Sequence, residues 1–596
     1  MTYSAPLADM RFALREVAGL AEIAALPGYE NATDDMVDAV LEEAAKLAGG
    51  ALAPLNKQGD VQGARLENGV VRTPDGFPDL YKQMVEGGWN SLPFDPAFGG
   101  QGMPWLLATA VQEMWQSANM GFALVLLLNQ GAIDAIEHHG SEAQKQAYLP
   151  KMVSGEWTGT MNLTEPQSGS DLGTLRCKAV KNGDHYLISG QKIYISYGDH
   201  DMAENIVHLV LARTPDAPAG VRGISLFIVP KVLINADGGP GKRNDVRVAS
   251  IEHKLGQHAS PTCVMVFGDN GGAVGYLVGE EGRGLSYMFT MMNNARLNVG
   301  VQGLSIAERA YQQALAFARN RVQSKDDTKA SNDGVPIIRH ADVRRMLMTM
   351  KATIEAMRAL GYYGAAATDL ALRHPDAEQR KRAQFRLDLL IPIIKAWFTD
   401  AGGEVTSLGV QIHGGMGFIE ETGAAQHQRD ARILPIYEGT NGIQARDLVA
   451  RKIARDGGET LRALIADMRS LGDALAKAPG DDLQAIRDGL LSAAAALDDA
   501  TNWVAANVAK EIGATLAGSA HYLRLCGLAL GAYVLAKGAL TASQKLMSRD
   551  GDPTFLESKI VTARFFTDTL LPQGTALVAP MKASGRTVFA LSEEQF

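Results

Sequence analysis

The hydrophobic pattern changes period twice along the chain, and this constrains the fold more than any other feature. From about Thr33 to Val153 apolar residues recur at helical spacing, broken by the loop SLPFDPAFGGQGMP, whose Pro and Gly content cannot sustain a helix. From Arg176 to about Val278 short strand-like runs take over: HYLISGQKIYIS, NIVHLVLAR, GISLFIVPKV and TCVMVFG, punctuated by Gly, Asp and Pro. Helical periodicity returns from Gly284 to about Arg455, and after RDGGE an Ala- and Leu-rich tail runs to Phe596. A chain of 596 residues exceeds what one core supports, so lobes of ~100 to 200 residues are expected. The pattern predicts an α+β chain with an N-terminal extension (1–34) and an α-helical domain (35–158). A middle β-barrel-like domain (159–280), an α-helical bundle (281–457) and an additional helical domain (458–596) follow.

Composition removes several function classes. Net charge is −9 with no basic run, which argues against nucleic acid or an anionic membrane as partner. Three cysteines without CxxC spacing read as buried free thiols rather than a disulfide framework, and no metal site is expected. The N-terminus MTYSAPLADMRFAL has no basic region followed by an apolar stretch, and the most apolar segment, GFALVLLLNQGAI, reads as too short to span a bilayer. A cytoplasmic small-molecule enzyme fits best. The sequence holds no GxGxxG, Walker loop, HExxH or GxSxG, so dinucleotide, nucleotidase and hydrolase readings lose their usual warrants.

Two Gly-rich pieces, NLTEPQSGSDLG and QIHGGMGF, are able to present backbone N–H groups to a phosphate or a ring edge. Between Arg432 and Arg446, RILPIYEGTNGIQAR carries one charged side chain, Glu438. A carboxylate in apolar company is either solvated or functional, because an unpaired one costs several kcal/mol or takes up a proton. Taken singly each piece has an ordinary reading. GGMGF is most often a turn, Ser170 beside Asp171 a helix cap, His413 a packed histidine and Glu438 a solvated loop residue.

Order and spacing change that balance. TEPQSGSD, SGQKIYIS, EHKLGQHASPT, QIHGGMGF and IYEGTNGIQ occur in the order of the acyl-CoA dehydrogenase motifs across roughly residues 35 to 455, and the chain resembles that family. The N-terminal segment and helical tail resemble its longer bacterial subfamily. The resemblance implies FAD as cofactor and an acyl-CoA substrate, with electrons passed to an electron-transfer flavoprotein. It makes Glu438 the base that takes the α-proton while flavin N5 accepts the β-hydride, giving a trans-2-enoyl-CoA. Met161, Leu163, Thr164, Gly169, Ser170, Ile195 and Ser196 are implied to line the cofactor, with Thr440 and Asn441 close by. Arg321 is implied to reach the FAD diphosphate, and Gln411, Gly414 and Gly415 to approach the FAD of a neighbouring subunit, so a homodimer or dimer of dimers is expected. Ser170, Asn293, Arg296 and Gly439 are implied to meet the acyl-CoA. The chain departs from the family where VQSKDDTKASNDG follows Arg321 in place of RxxFG, at Ala341 (usually Gln) and at Asn293 (usually Asp). An acyl-CoA oxidase and a non-catalytic acyl-CoA-binding or assembly protein are the competing readings.

Overall fold

A computed structural model describes residues 3–235, 238–327 and 333–596. Two long helices, α1 (Trp105–Ala118) and α2 (Met120–His139), form the centre of the first helical lobe. Pro104 precedes α1 and offers no side-chain cap. The orphan N–H groups of Trp105 and Leu106 are instead taken by the buried carboxylate of Asp369, at 2.8 and 2.9 Å, from a helix 263 residues further on. The apolar segment expected to be too short for a membrane lies in α2, which at 20 residues is long enough to cross one. A second helix, Ser519–Ser548, also qualifies. Both are core helices, with 89% and 83% of the most apolar 18-residue stretch of each buried within the fold.

A curled eight-stranded sheet follows. Its strands are β1 (Trp157–Asn162), β2 (Lys178–Asn182), β3 (His185–Ser196), β4 (Asn205–Ala212), β5 (Ser225–Pro230), β6 (Val246–Ile251), β7 (Thr262–Phe267) and β8 (Ala273–Leu277). They run in the order β6-β7-β3-β8-β5-β4-β1, with β2 pairing β3. Only β1 and β4 pair in parallel. All eight residues of β4 are buried, which explains why NIVHLVLA lacks polar alternation. Val207, Leu209 and Leu211 join the core of the helical lobe, while Val210 and Ala212 join the core inside the sheet.

The second helical lobe is built on α3 (Gly284–Asn320), α4 (Ala341–Arg373) and α5 (Ala377–His413). α3 and α5 run side by side in the same direction, Gly300 lying against Ile394 and Phe317 stacking near His413. Arg358 of α4, 1% exposed, donates to Glu113 of α1 at 2.7 and 2.9 Å and to Glu308 of α3 at 2.6 Å. Tyr362 donates to the other oxygen of Glu113 at 2.6 Å. The two lobes are thus joined by a buried, fully partnered charge cluster.

A short helix α6 (Asn441–Asp447) leads through a π-helical turn to the tail, whose main helices are α7 (Glu459–Leu475), α8 (Asp481–Asn507), α9 (Ser519–Ser548) and α10 (Pro553–Phe565). Gly457 and Gly458, both left-handed, make the turn that the RDGGE segment marks. The tail has no core of its own: Leu461, Leu490, Tyr522 and Phe566 share one apolar cluster with Leu360, Ile394 and Trp397 of the bundle. Gly527 of α9 lies so close to Trp397 that a Cβ there would come within 2.3 Å of the ring. Cys177, Cys263 and Cys526 are buried free thiols, and among the described residues no cluster is able to hold a metal ion.

Candidate functional site

Glu438 sits on the loop before α6 with φ +56°, followed by Gly439 at +86°. A left-handed glutamate costs of order 1–3 kcal/mol and persists only where its surroundings enforce it. Arg296 of α3 donates from Nε to the Glu438 carbonyl at 3.3 Å. The buried Gln444 donates to the same carbonyl at 3.3 Å and to that of Gly439 at 3.2 Å. Thr440 caps α6, accepting from the Ile443 N–H at 3.3 Å. The carboxylate itself takes part in no hydrogen bond with the described residues.

Glu438 keeps part of its surface open, as a group that meets a ligand must, yet desolvation pushes its carboxyl up to about 7. Arg296 and Lys395 pull the other way. The uncharged neighbourhood read from the loop sequence is therefore corrected by the fold, which brings two cations, from α3 and α5, near enough to favour its ionised form. Lys395 is fully buried, and its Nζ donates to Asn441 Oδ1 at 2.9 Å.

Beside Arg296 opens a cavity of about 290 Å³. Asn293 and Arg296 line it, together with Phe289, Arg451, Lys452, Arg455 and the carboxylates of Asp388 and Asp447. Four cations face two anions there, an excess that suits an anionic ligand. Arg451 lies over the Phe289 ring at 5.0 Å, and Arg455 pairs with Asp388 at 2.8 Å. Sequence reasoning found Asn293 and Arg296. It missed Arg451, Lys452 and Arg455, whose shared face on the turn after α6 was the available signal.

The second group of expected residues gathers at one end of the sheet. The Thr164 carbonyl accepts from the Ile193 N–H at 2.9 Å, and Lys192 Nζ donates to the Leu163 carbonyl and to Glu165, both at 2.9 Å. Lys192 holds the Glu165 carboxyl down at about 2 against desolvation, and this buried pair straps the TEP segment to β3. Met161, Leu163 and Thr164 thereby share a wall with Ile195 and Ser196, while Gly169 and Ser170 project on an exposed loop beyond it. Tyr194 and Tyr197 flank that wall in left-handed conformations, φ +60° and +49°. Bulky residues there are outliers that sequence does not announce.

Five expected residues lie elsewhere. The Asn441 side chain is spent on α5, donating to Ala396 O, Thr399 Oγ1 and Asp400 Oδ1 at 3.1, 3.0 and 2.7 Å. Arg321, Gln411, Gly414 and Gly415 are exposed together at the far ends of α3 and α5. Arg321 lies ~37 Å along α3 from Arg296 at 1.5 Å per residue, so these four do not join the Glu438 group within one chain.

Four domain families match the sequence in turn between residues 37 and 592. They are acyl-CoA dehydrogenase N-terminal (37–156), middle (160–270) and C-terminal (282–454) domains, then an acetyl-CoA dehydrogenase C-terminal-like domain (459–592). The chain is 48% identical to a 3-methylmercaptopropionyl-CoA dehydrogenase of Ruegeria pomeroyi, covering 99% of this chain and 100% of that protein. It is 35% identical to a butyryl-CoA dehydrogenase of Syntrophomonas wolfei, covering 100% and 99%. The fold is shared with an acyl-CoA dehydrogenase complexed with FAD from Bacillus anthracis, with a TM-score of 0.74 and 20% identity, covering 98% of this chain and 95% of that one. Full-length identity at this level, with all four domains in order, makes the chain a member of the acyl-CoA dehydrogenase family.

Proposed function

We propose that the protein removes the α-proton of an acyl-CoA thioester with Glu438 and the β-hydrogen with bound FAD, releasing a trans-2-enoyl-CoA. The observation that carries this reading is the Glu438 carboxylate: desolvated, free of hydrogen bonds among the described residues, and on a loop held by Arg296, which also lines the cation-rich cavity. Desolvation raises a carboxylate's proton affinity toward the operating pH, which is what removal of a weakly acidic C–H proton requires. The Glu438 backbone N–H also donates to no described residue, which leaves it for the thioester oxygen as charge develops there.

The wall at the sheet's end fits a flavin. Met161 and Ile195 offer apolar contact. The hydroxyls of Thr164, Ser170 and Ser196 take part in no hydrogen bond with the described residues, and the buried Asn162 Oδ1 lacks a partner. FAD, when bound, supplies the acceptor for the β-hydrogen and its electron pair. The protein's part is to hold the thioester between this wall and Glu438 and to keep water out. A second copy would bring Arg321, Gln411, Gly414 and Gly415 to the cofactor. The exposed Met416, Phe418 and Ile419 beside them support such an interface. Electrons leave to an electron-transfer flavoprotein.

The substrate class follows the Ruegeria pomeroyi relative: a short thioester such as 3-methylmercaptopropionyl-CoA. Anaerobic titration of the yellow holoenzyme with this compound and with straight-chain acyl-CoAs of rising length tests it. Bleaching by the sulfur-bearing thioester at the lowest concentration is expected. A flavin that no thioester bleaches would overturn the assignment, and rapid peroxide formation in air would identify an oxidase instead.

The cavity makes its own prediction. Arg451→Ala removes an exposed cation that a CoA phosphate would meet, so KM for acyl-CoA is expected to rise about tenfold with kcat little changed. An unchanged KM in steady-state kinetics would separate this cavity from substrate binding.

A further inference from the structure

Lys395 is the least expected residue near the site. It is fully buried in the middle of α5, where a lysine is almost never found without a paired anion. Among the described residues no carboxylate lies in ion-pair contact with it, and its single hydrogen bond goes to Asn441 Oδ1 at 2.9 Å. Asn441 cannot turn its amide round, because its Nδ2 is committed to Ala396 O, Thr399 Oγ1 and Asp400 Oδ1. The ammonium is thus hooked to the residue three positions after Glu438.

The charges around this pair come from four elements. α3 contributes Arg296, which holds the Glu438 carbonyl. α5 contributes Asp400 and Glu404, and the latter is neutralised by Arg524 of α9 at 2.7 Å. Asp447 of α6 pairs with Arg451 at 3.2 Å. Burial pushes Lys395 down to about 7, while Glu438 and Asp400 favour its charged form and Arg296 opposes it. Glu438 in turn is pushed up by burial, with Arg296 and Lys395 favouring its carboxylate. A hydrogen-bond donor alone would not need a cation here; an amide would anchor Asn441 at far lower desolvation cost.

We propose that Lys395 is a positioning residue for the base: its buried ammonium, fixed on Asn441, keeps Glu438 ionised in a dry pocket and locks the loop where it enters α6. This rests on the reading of Glu438 as the base.

The test compares FAD-loaded wild type with Lys395→Met, Lys395→Arg and Lys395→Gln. In the wild type, kcat/KM is expected to fall roughly tenfold per pH unit below about pH 7, as the carboxylate takes up a proton. In Lys395→Met the acid limb is expected to move up by about one unit, with a roughly tenfold lower kcat/KM at pH 6.5 that recovers by pH 9. Lys395→Arg should hold the limb in place. Lys395→Gln keeps a donor for Asn441 without charge; it should behave as Lys395→Met and replaces it if that variant does not fold. A uniform loss at every pH with an unmoved limb would reduce Lys395 to an anchor and overturn the proposal. Infrared titration of the protonated Glu438 carboxyl band, identified by its disappearance in Glu438→Gln, gives a readout without turnover. A midpoint raised in Lys395→Met supports the proposal, and an unmoved one overturns it, even if no thioester bleaches the wild-type flavin and the base assignment itself fails.

Discussion

Glu438→Gln is expected to leave a folded, yellow protein that binds acyl-CoA but reduces its flavin between about 100- and 10,000-fold more slowly. The amide has nearly the size of the carboxyl. It also needs no counter-charge, so the burial that pushes the carboxyl up to about 7 imposes no comparable cost on it. The carbonyl of residue 438 keeps its contacts with Arg296 and Gln444, so the left-handed loop should persist. What is lost is the acceptor for the α-proton. Rapid-mixing absorbance of the flavin under anaerobic conditions measures this, with thermal unfolding as the control for folding. A variant that bleaches at the wild-type rate would show that proton removal belongs to another group.

The largest effect on stability is expected from Arg358→Met. Arg358 is the only cation in contact with Glu113 among the described residues and also pairs with Glu308. Removing it leaves two carboxylates facing each other in a site that excludes water. Breaking a buried ion pair by deleting one partner typically costs about 3–5 kcal/mol, because the remaining charge is uncompensated. Desolvation already raises the Glu113 carboxyl from its ordinary value, and without Arg358 it should rise further and hold its proton at neutral pH. Tyr362→Phe, which deletes one hydrogen bond to the same carboxylate, should cost only about 1.5–3 kcal/mol. Chemical denaturation of the two variants side by side measures the difference. An Arg358→Met protein as stable as Tyr362→Phe would contradict the account of the cluster.

Some of the site was legible in the linear sequence and some was not, for identifiable reasons. Glu438 stood out because it is the sole charge in its loop, and the Thr440-capped start of α6 follows it directly. Its cations were invisible because they reach it from 142 residues upstream, in Arg296, and through Lys395, whose hydrogen-bond partner lies 46 residues downstream. Within LIPIIKAWF a single lysine reads as the solvent-facing position of an apolar helix, and only the packing of α6 against α5 reveals that it is enclosed. The two left-handed tyrosines beside the wall at the sheet's end had no signal at all, since that conformation is normally marked by Gly or Asn. The change from helical to strand period was plain, whereas the merging of the tail's core with the bundle was not. Leu461 and Phe566 are ordinary amphipathic-helix residues until they are seen to share one apolar cluster with Trp397 of α5.

That shared core has a consequence during synthesis. The N-terminal residues dock on the tail: Lys537 Nζ donates to the Val17 carbonyl across 520 residues of chain, and Lys559 contacts Asp9 across 550. At about 5–20 residues per second, a ribosome needs roughly half a minute to nearly two minutes to make the partner that Val17 requires. Over that interval Val17 and the bundle face around Trp397 wait with apolar surface uncovered, open to capture by a holding chaperone. Val17 is therefore secured late, and a nascent chain stalled before α9 leaves it without its partner, although Met10, Leu14 and Leu20 already belong to the core of the first helical lobe.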